Sequence, residues 1–376
     1  MRAVAFTALL AALVAPAAVA EPAVVAERVE SEQATFRVVR VATGLANPWS
    51  IAFLPDGGAL VSERPGALLR LDVETGAVRN LDGVPRVAAV GQGGLLDVEL
   101  HPRFADNRLV YLSYAAGRSG SYATSIARGR LTDSGLEDVE VLFTMNRPSG
   151  ARLHFGSRLS FGADGMLYAT FGERGDRHRA QDPADHAGTI IRLRDDGSVP
   201  DDNPFVSGGG APEVYSFGHR NPQGMAAPPV TGRVWSHEHG PQGGDEINVI
   251  EAGVNYGWPV ITYGREYRSG APIGTGTAAP GMAQPVLHWT PSIAPSGMTF
   301  YDGDRFPGWR GDLFAGALAG QHLRRVQLDG ERAVAEEVLL QRRVGRVRDV
   351  KQGPDGMLWL LEDARNASIY RLEPVP

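Results

Sequence analysis

Three stretches of the chain repeat one plan: "FLPDGGALVSE" (Phe53–Glu63), "FGADGMLYATFGE" (Phe161–Glu173) and "QGPDGMLWLLED" (Gln352–Asp363). Each reads as the end of a strand, a tight Asp-Gly turn and a second, alternating strand. In the middle copy Leu167, Ala169 and Phe171 fall on one face, and Met166, Tyr168 and Thr170 on the other. Degenerate copies occur at "ELHPRFADNRLVYLSY" (Glu99–Tyr114), "AAPPVTGRVWSHE" (Ala226–Glu238) and "TFYDGDRFPGWRGDLFAGA" (Thr299–Ala317). Six copies, spaced irregularly by roughly 50 to 70 residues, predict an all-β fold, a six-bladed β-propeller with long loops on one face. A pair of β-sandwiches would not repeat six times. The 47 glycines and 26 prolines agree, because short strands joined by many turns need both.

The first twenty residues carry one charge, Arg2, then an apolar run, then small residues ending in Ala-Val-Ala before Glu21. That pattern predicts a secretory signal peptide cleaved after Ala20, leaving residues 21–376 as a single propeller domain, periplasmic or secreted. No second apolar run approaches the roughly eighteen residues of a membrane span, so no span is expected. The chain has no cysteine, which removes a lipoprotein anchor and any disulfide framework. Net charge is −6, and Lys351 is the single lysine among 37 basic residues, so there is no basic run to track nucleic acid.

Several copies adjoin polar residues that an ordinary blade does not need, and in a propeller these segments converge on the central channel. Gln92, in "GQGGLLDVELHP" (Gly91–Pro102), sits among glycines where the backbone can approach a ligand, although a plain turn has the same composition. His154 precedes a predicted strand, and Glu173 follows nineteen residues later, after the hairpin. A carboxylate on one ring nitrogen would fix the tautomer and leave the other nitrogen as a base; a purely structural pair reads the same way. "HGPQGGDEINVIEAGVNYGWP" (His239–Pro259) combines a glycine-rich turn, Asp245, Glu246 and exposed carbonyls, hard-oxygen chemistry that suits calcium. His237 and His239 invite a zinc reading, but no cysteine or further spaced histidine supports it. Arg346 and Arg348, on one face of a predicted strand, either join a surface ion-pair array or clamp an anion with several carboxylates.

In combination, "GHRNPQG" (Gly218–Gly224), "GPQGGDEIN" (Gly240–Asn248), "NYGWP" (Asn255–Pro259) and "RVRDV" (Arg346–Val350) resemble the soluble aldose and glucose dehydrogenases that depend on pyrroloquinoline quinone (PQQ). The resemblance runs from Gly44 to Leu361 and implies a six-bladed propeller that oxidises the C1 hydroxyl of aldose sugars to lactones. It implies that His154 is the base taking the C1 hydroxyl proton as hydride passes to the quinone, with Glu173 orienting it. Arg220 and Asn221 match contacts to the quinone oxygens, and Gln92 a polar contact to cofactor or sugar. Arg346 and Arg348 match the clamp on the cofactor carboxylates. Gly240 and Pro241 match the turn whose carbonyls hold a calcium ion bridging to PQQ, and Glu246 and Tyr256 match positions tied to calcium ligation.

The chain departs from that pattern twice. In "AGALAGQHL" (Ala315–Leu323) Ala319 stands where the family commonly has a lysine that meets PQQ, so weaker PQQ binding is expected unless Gln321, His322 or Arg324 substitutes. In "HWTPSIAPSG" (His288–Gly297) Ser292 stands where glucose-specific members have threonine. Two rival functions share the architecture. One is a calcium-dependent lactonase, which leaves Arg220, Arg346 and Arg348 without a role. The other is a propeller that has lost its cofactor and binds sugar or protein.

Overall fold

The computed structural model describes residues 21–228 and 231–375; the predicted signal peptide lies outside them. Six antiparallel sheets form the six blades of a β-propeller. Their innermost strands, Pro48–Phe53, Leu95–Leu100, Leu159–Phe161, Pro222–Ala226, Pro295–Phe300 and Val347–Gln352, each touch the next, and the last touches the first. Five blades have four strands in simple sequence order. The sixth is shared between the two halves of the chain: Val347–Gln352, Leu358–Glu362 and Ala367–Pro374 are completed by Thr35–Leu45 and then Ala23–Glu30. Phe36 lies opposite Pro374 and Leu45 opposite Ala367, so backbone hydrogen bonds close the ring.

Each of the six sequence copies is the hairpin of one blade's first two strands. In the three clear copies Gly57, Gly165 and Gly356 adopt φ of 86°, 75° and 74°, a left-handed conformation that a Cβ would strain. The preceding aspartate accepts the amide two residues on: Asp56 from Gly58 at 3.0 Å, Asp164 from Met166 at 3.1 Å and Asp355 from Met357 at 3.0 Å. The Asp302-Gly303 pair behaves differently. The connection from Phe300 to Leu313 is long and carries a short 3-10 turn, Pro307–Trp309, that buries Trp309 against Phe36, Phe306 and Phe314.

Blades stack face to face, so a strand's two faces enter two different cores. Leu167, Ala169 and Phe171 pack with Tyr111, Ile126 and Phe143 of the preceding blade. Tyr168, on the opposite face, joins Met225, Val234 and Ile250 of the following one. Burying each such large side chain contributes about 1.5–3 kcal/mol. This two-sided burial is why second strands such as Leu167–Phe171, Leu313–Ala317 and Leu358–Glu362 read as nearly continuous apolar runs.

The axis itself is polar. Arg158, almost fully buried, donates to the Gln223 carbonyl at 2.9 Å and to Asp97 at 3.0 Å, and lies 3.2 Å from Asp349. Its guanidinium also sits over the Trp49 ring at 4.3 Å. Removing the cation would leave Asp97 and Asp349 buried without the guanidinium between them, held only by backbone amides. Arg158→Met should therefore lower unfolding stability by about 3–5 kcal/mol in a denaturant titration; an unchanged midpoint would show that the ring does not rely on this contact.

Candidate active site

Where the inner strands begin, all six blades contribute to the wall of a cavity of about 270 Å3. His154 stands beside it, in the loop leading to Leu159–Phe161, with φ at 52°, a conformation uncommon for a residue with a Cβ. Its loop is fixed from several sides. The Gln92 side chain accepts the His154 amide at 2.7 Å, and Gly91 and Gly172 leave space for the Arg152 and His154 carbonyls where a Cβ would collide. Arg174 stacks on Phe155 at 3.5 Å and donates to the carbonyls of Leu153 and Ala151, bracketing the histidine.

His154 Nδ1 lies 2.7 Å from Glu173, as the hairpin spacing predicts. Glu173 also accepts the Gly175 amide at 2.5 Å, which orients the carboxylate. Burial pushes the Glu173 pKa up, but these hydrogen bonds and the charges of His154 and Arg220 outweigh it and the net shift is downward. For His154, burial lowers the pKa below 6.5; the Glu173 bond opposes this and Arg220 adds to it. The ring is thus neutral, with Nδ1–H toward Glu173, and Nε2 takes no partner among the described residues. Geometry and charge together leave Nε2 suited to accept a proton.

Arg346 and Arg348 share one acceptor. Asp363 Oδ2 receives Arg346 at 3.1 Å and Arg348 at 3.2 Å, and all three line the cavity. Gln92, Asn221 and His239 line it too, and Trp49 closes part of the wall. Arg220 lies in the adjoining wall. Its Nη1 donates to the carbonyls of His239 (3.0 Å) and Gly240 (2.9 Å), while Nε and Nη2 have no partner among the described residues. The Arg220 amide is held by Glu238, which is itself bonded to His219 at 2.8 Å, and His219 to Ser216 at 2.9 Å. That Ser-His-Glu chain is sealed in the core, with Ser216 fully buried, so it positions Arg220 and offers no nucleophile to solvent.

Arg220 also borders a small pocket of about 10 Å3, together with Glu238, Gly240, Glu246, Tyr256 and Thr262. Glu238 and Glu246 face each other across the ladder. Burial, reinforced by the Glu238 charge, raises the Glu246 pKa to about 8. The buried Glu238, the half-buried Glu246 and neighbouring carbonyls form a hard-oxygen donor set of the kind that suits a calcium ion. Gly240 is kept in place by Asp245, which accepts its amide at 2.8 Å. Asp245 also accepts from Ser292, Ile293 and Ala294, so it organises two loops and does not join the donor set. No group of three or more His, Cys, Asp or Glu side chains converges among the described residues. The His237 and His239 rings meet the Gly297 and Pro295 carbonyls, which gives the zinc reading no support.

The sequence model of the glucose/sorbosone dehydrogenase family matches residues 45–371. The chain belongs to that family. It is 42% identical to the aldose sugar dehydrogenase YliI of Escherichia coli over 91% of this chain and 94% of that protein. Among solved structures it is similar to the soluble aldose sugar dehydrogenase of Escherichia coli in its apo form, with a TM-score of 0.87, 42% identity and coverage of 90% and 100%. It is also similar to the PQQ-bound aldose sugar dehydrogenase of Streptomyces coelicolor, with a TM-score of 0.75, 34% identity and coverage of 89% and 96%.

Against the family pattern, the departures resolve locally. Ala319 is exposed, while the neighbouring Leu318 lines the cavity. None of the expected substitutes lines it: Arg324 lies 3.6 Å from Glu336, and His322 is buried with both ring nitrogens unpartnered. Ser292 turns its hydroxyl to Asp245 at 2.8 Å, leaving Ala294 at the wall. Sequence reasoning missed Arg64, Arg174 and Asp363. The first two follow directly the glutamate ending a repeat copy and Asp363 ends one, a shared position that marks the channel mouth.

Because folded His154 releases its proton more readily than a free histidine, the acid limb of the kcat/KM profile should lie below pH 6.5. Glu173→Gln should lower turnover by about 10²-fold or more while leaving the melting temperature near that of the parent. An acid limb above pH 6.5 would remove His154 from the role of base.

Proposed function

We propose that this chain is a periplasmic or secreted quinoprotein that oxidises the C1 hydroxyl of aldose sugars to lactones, with PQQ as cofactor and calcium beside it. The observation that carries the reading is the neutral His154, held by Glu173 with Nε2 free, at the edge of a cavity whose guanidiniums outnumber its carboxylates. A polyanionic cofactor with several carboxylates matches that imbalance. When bound, PQQ would supply the two-electron acceptor and calcium the Lewis acid that polarises it.

The protein's own residues divide the remaining work. His154 Nε2 takes the proton of the C1 hydroxyl, and Glu173 stabilises the imidazolium that forms. Arg220, through its unpartnered Nε and Nη2, and Asn221, at the cavity wall, present donors where negative charge develops. Arg346 and Arg348 hold carboxylates by charge-assisted hydrogen bonds. Gln92 fixes the His154 amide and therefore acts on the base as well as on the cavity. Gly240 and Pro241 would offer carbonyls to calcium, and Glu246 with the Tyr256 carbonyl would complete a cation site behind them.

Reconstitution decides the class. Protein prepared without cofactor, given PQQ and calcium, should show the quinone absorbance bleach on addition of one or more of a panel of aldoses; no PQQ binding in excess calcium would overturn the proposal. His154→Ala should still bind PQQ and lose nearly all sugar oxidation, about 10²-fold at least. Glu246→Gln should retain less calcium after dialysis, measured by atomic absorption, and an unchanged calcium content would move Glu246 out of the ligand set.

A further inference from the structure

We propose that Arg64, on the first blade, is a third cation of the cofactor clamp and takes the place of the lysine that this chain lacks at position 319. The inference rests on the PQQ reading above. Arg64 lines the same cavity as Arg346, Arg348 and Asp363, reaching it from the neighbouring blade.

Its bonding state differs from that of the other two. Arg346 and Arg348 both spend donors on Asp363, and Arg348 also reaches Gln223. The Arg64 guanidinium has no hydrogen bond, ion pair or aromatic partner among the described residues, so its five N–H donors are free. The backbone beneath it is nevertheless rigid. Its amide donates to the Asn47 carbonyl at 3.0 Å, and its carbonyl accepts Leu95 at 3.1 Å, tying it between the first two blades.

Three guanidiniums therefore face one carboxylate. The crowding is felt by Arg348: burial lowers its pKa, Asp363 opposes this, and the charges of Arg64 and Arg346 lower it further. Such an arrangement holds surplus positive charge that an anion with two or more free carboxylates would neutralise. With Arg346 and Arg348 already engaged, Arg64 is the group with most donors left for that anion. It also explains how the chain can do without a cation from the fifth blade.

Equilibrium titration of cofactor-free protein with PQQ, in calcium, at low and high ionic strength tests this without measuring turnover. Arg64→Gln should weaken PQQ binding by about ten- to a hundredfold at low salt, and its affinity should depend less on salt than that of the parent. Because Arg64 is half-exposed and unpartnered, the melting temperature of the cofactor-free variant should not change. Parental affinity and salt dependence in the variant would overturn the inference, as would weakened binding with undiminished salt dependence, which would mark a packing role. If the parent itself binds no PQQ, it is the proposed function that fails.

Discussion

The buried guanidinium of Arg158 is the contact on which the rest of the ring depends. It reaches Asp97 on the second blade, Asp349 on the sixth, the Gln223 carbonyl on the fourth and the Trp49 ring on the first, while it belongs to the third. Gly297 of the fifth blade fits against Asp349 where any Cβ would collide with the carboxylate. The same two aspartates accept backbone amides, Asp97 from Leu159 and Asp349 from Ile51, so the charges also satisfy the inner strands. An ion cluster this deep is weak evidence of net stabilisation, because desolvation offsets most of the attraction. Its effect is to make any other register of the blades leave a charge buried and unpaired.

The hub is also the floor of the functional site. Trp49 receives Arg158 on its ring and lines the cavity, so the polar axis and the cavity share a wall. Around the mouth the loops are less relaxed. His154 holds a left-handed backbone, secured by Gln92 from the second blade, Glu173 across the hairpin and Arg174 on either side of it. Conformations of this kind cost on the order of 1–3 kcal/mol and persist where surrounding contacts over-determine them. The contacts here do so, and the result is a ring held in one orientation by several elements at once.

Charge is distributed oppositely at the two levels. At the hub Asp97 and Asp349 surround one arginine, and the pair Lys351 and Glu99 lies 3.9 Å apart nearby. At the mouth three arginines face one aspartate. The first arrangement closes on itself. The second stays electrostatically open, which suits a site meant to be completed by an anion. Next to it, Glu238 and Glu246 oppose each other across the ladder, so carboxylates gather in the pocket adjoining the arginines.

Much of this was legible in the sequence, because hairpins with an Asp-Gly turn are local and their six-fold recurrence leaves few architectures. The His154–Glu173 pair was legible for the same reason: both residues flank one hairpin, and antiparallel pairing fixes their distance. The partners of Asp245 were not legible, because Gly240 and the Ser292–Ala294 loop come from a turn and a remote segment whose amides a sequence does not display. The cavity's cations were hidden for a similar reason. Gln321, His322 and Arg324 lie near Ala319 in the chain and do not line the cavity, whereas Arg64 reaches it from the first blade, beyond the ring closure. By itself, then, the sequence determined the blade count, the hairpin chemistry and the nearness of His154 to Glu173, all set by short-range backbone geometry. Which charges meet at the axis and at the mouth was decided only by tertiary structure, because closing the ring brings together residues separated by hundreds of positions whose pairing depends on where each inner strand begins.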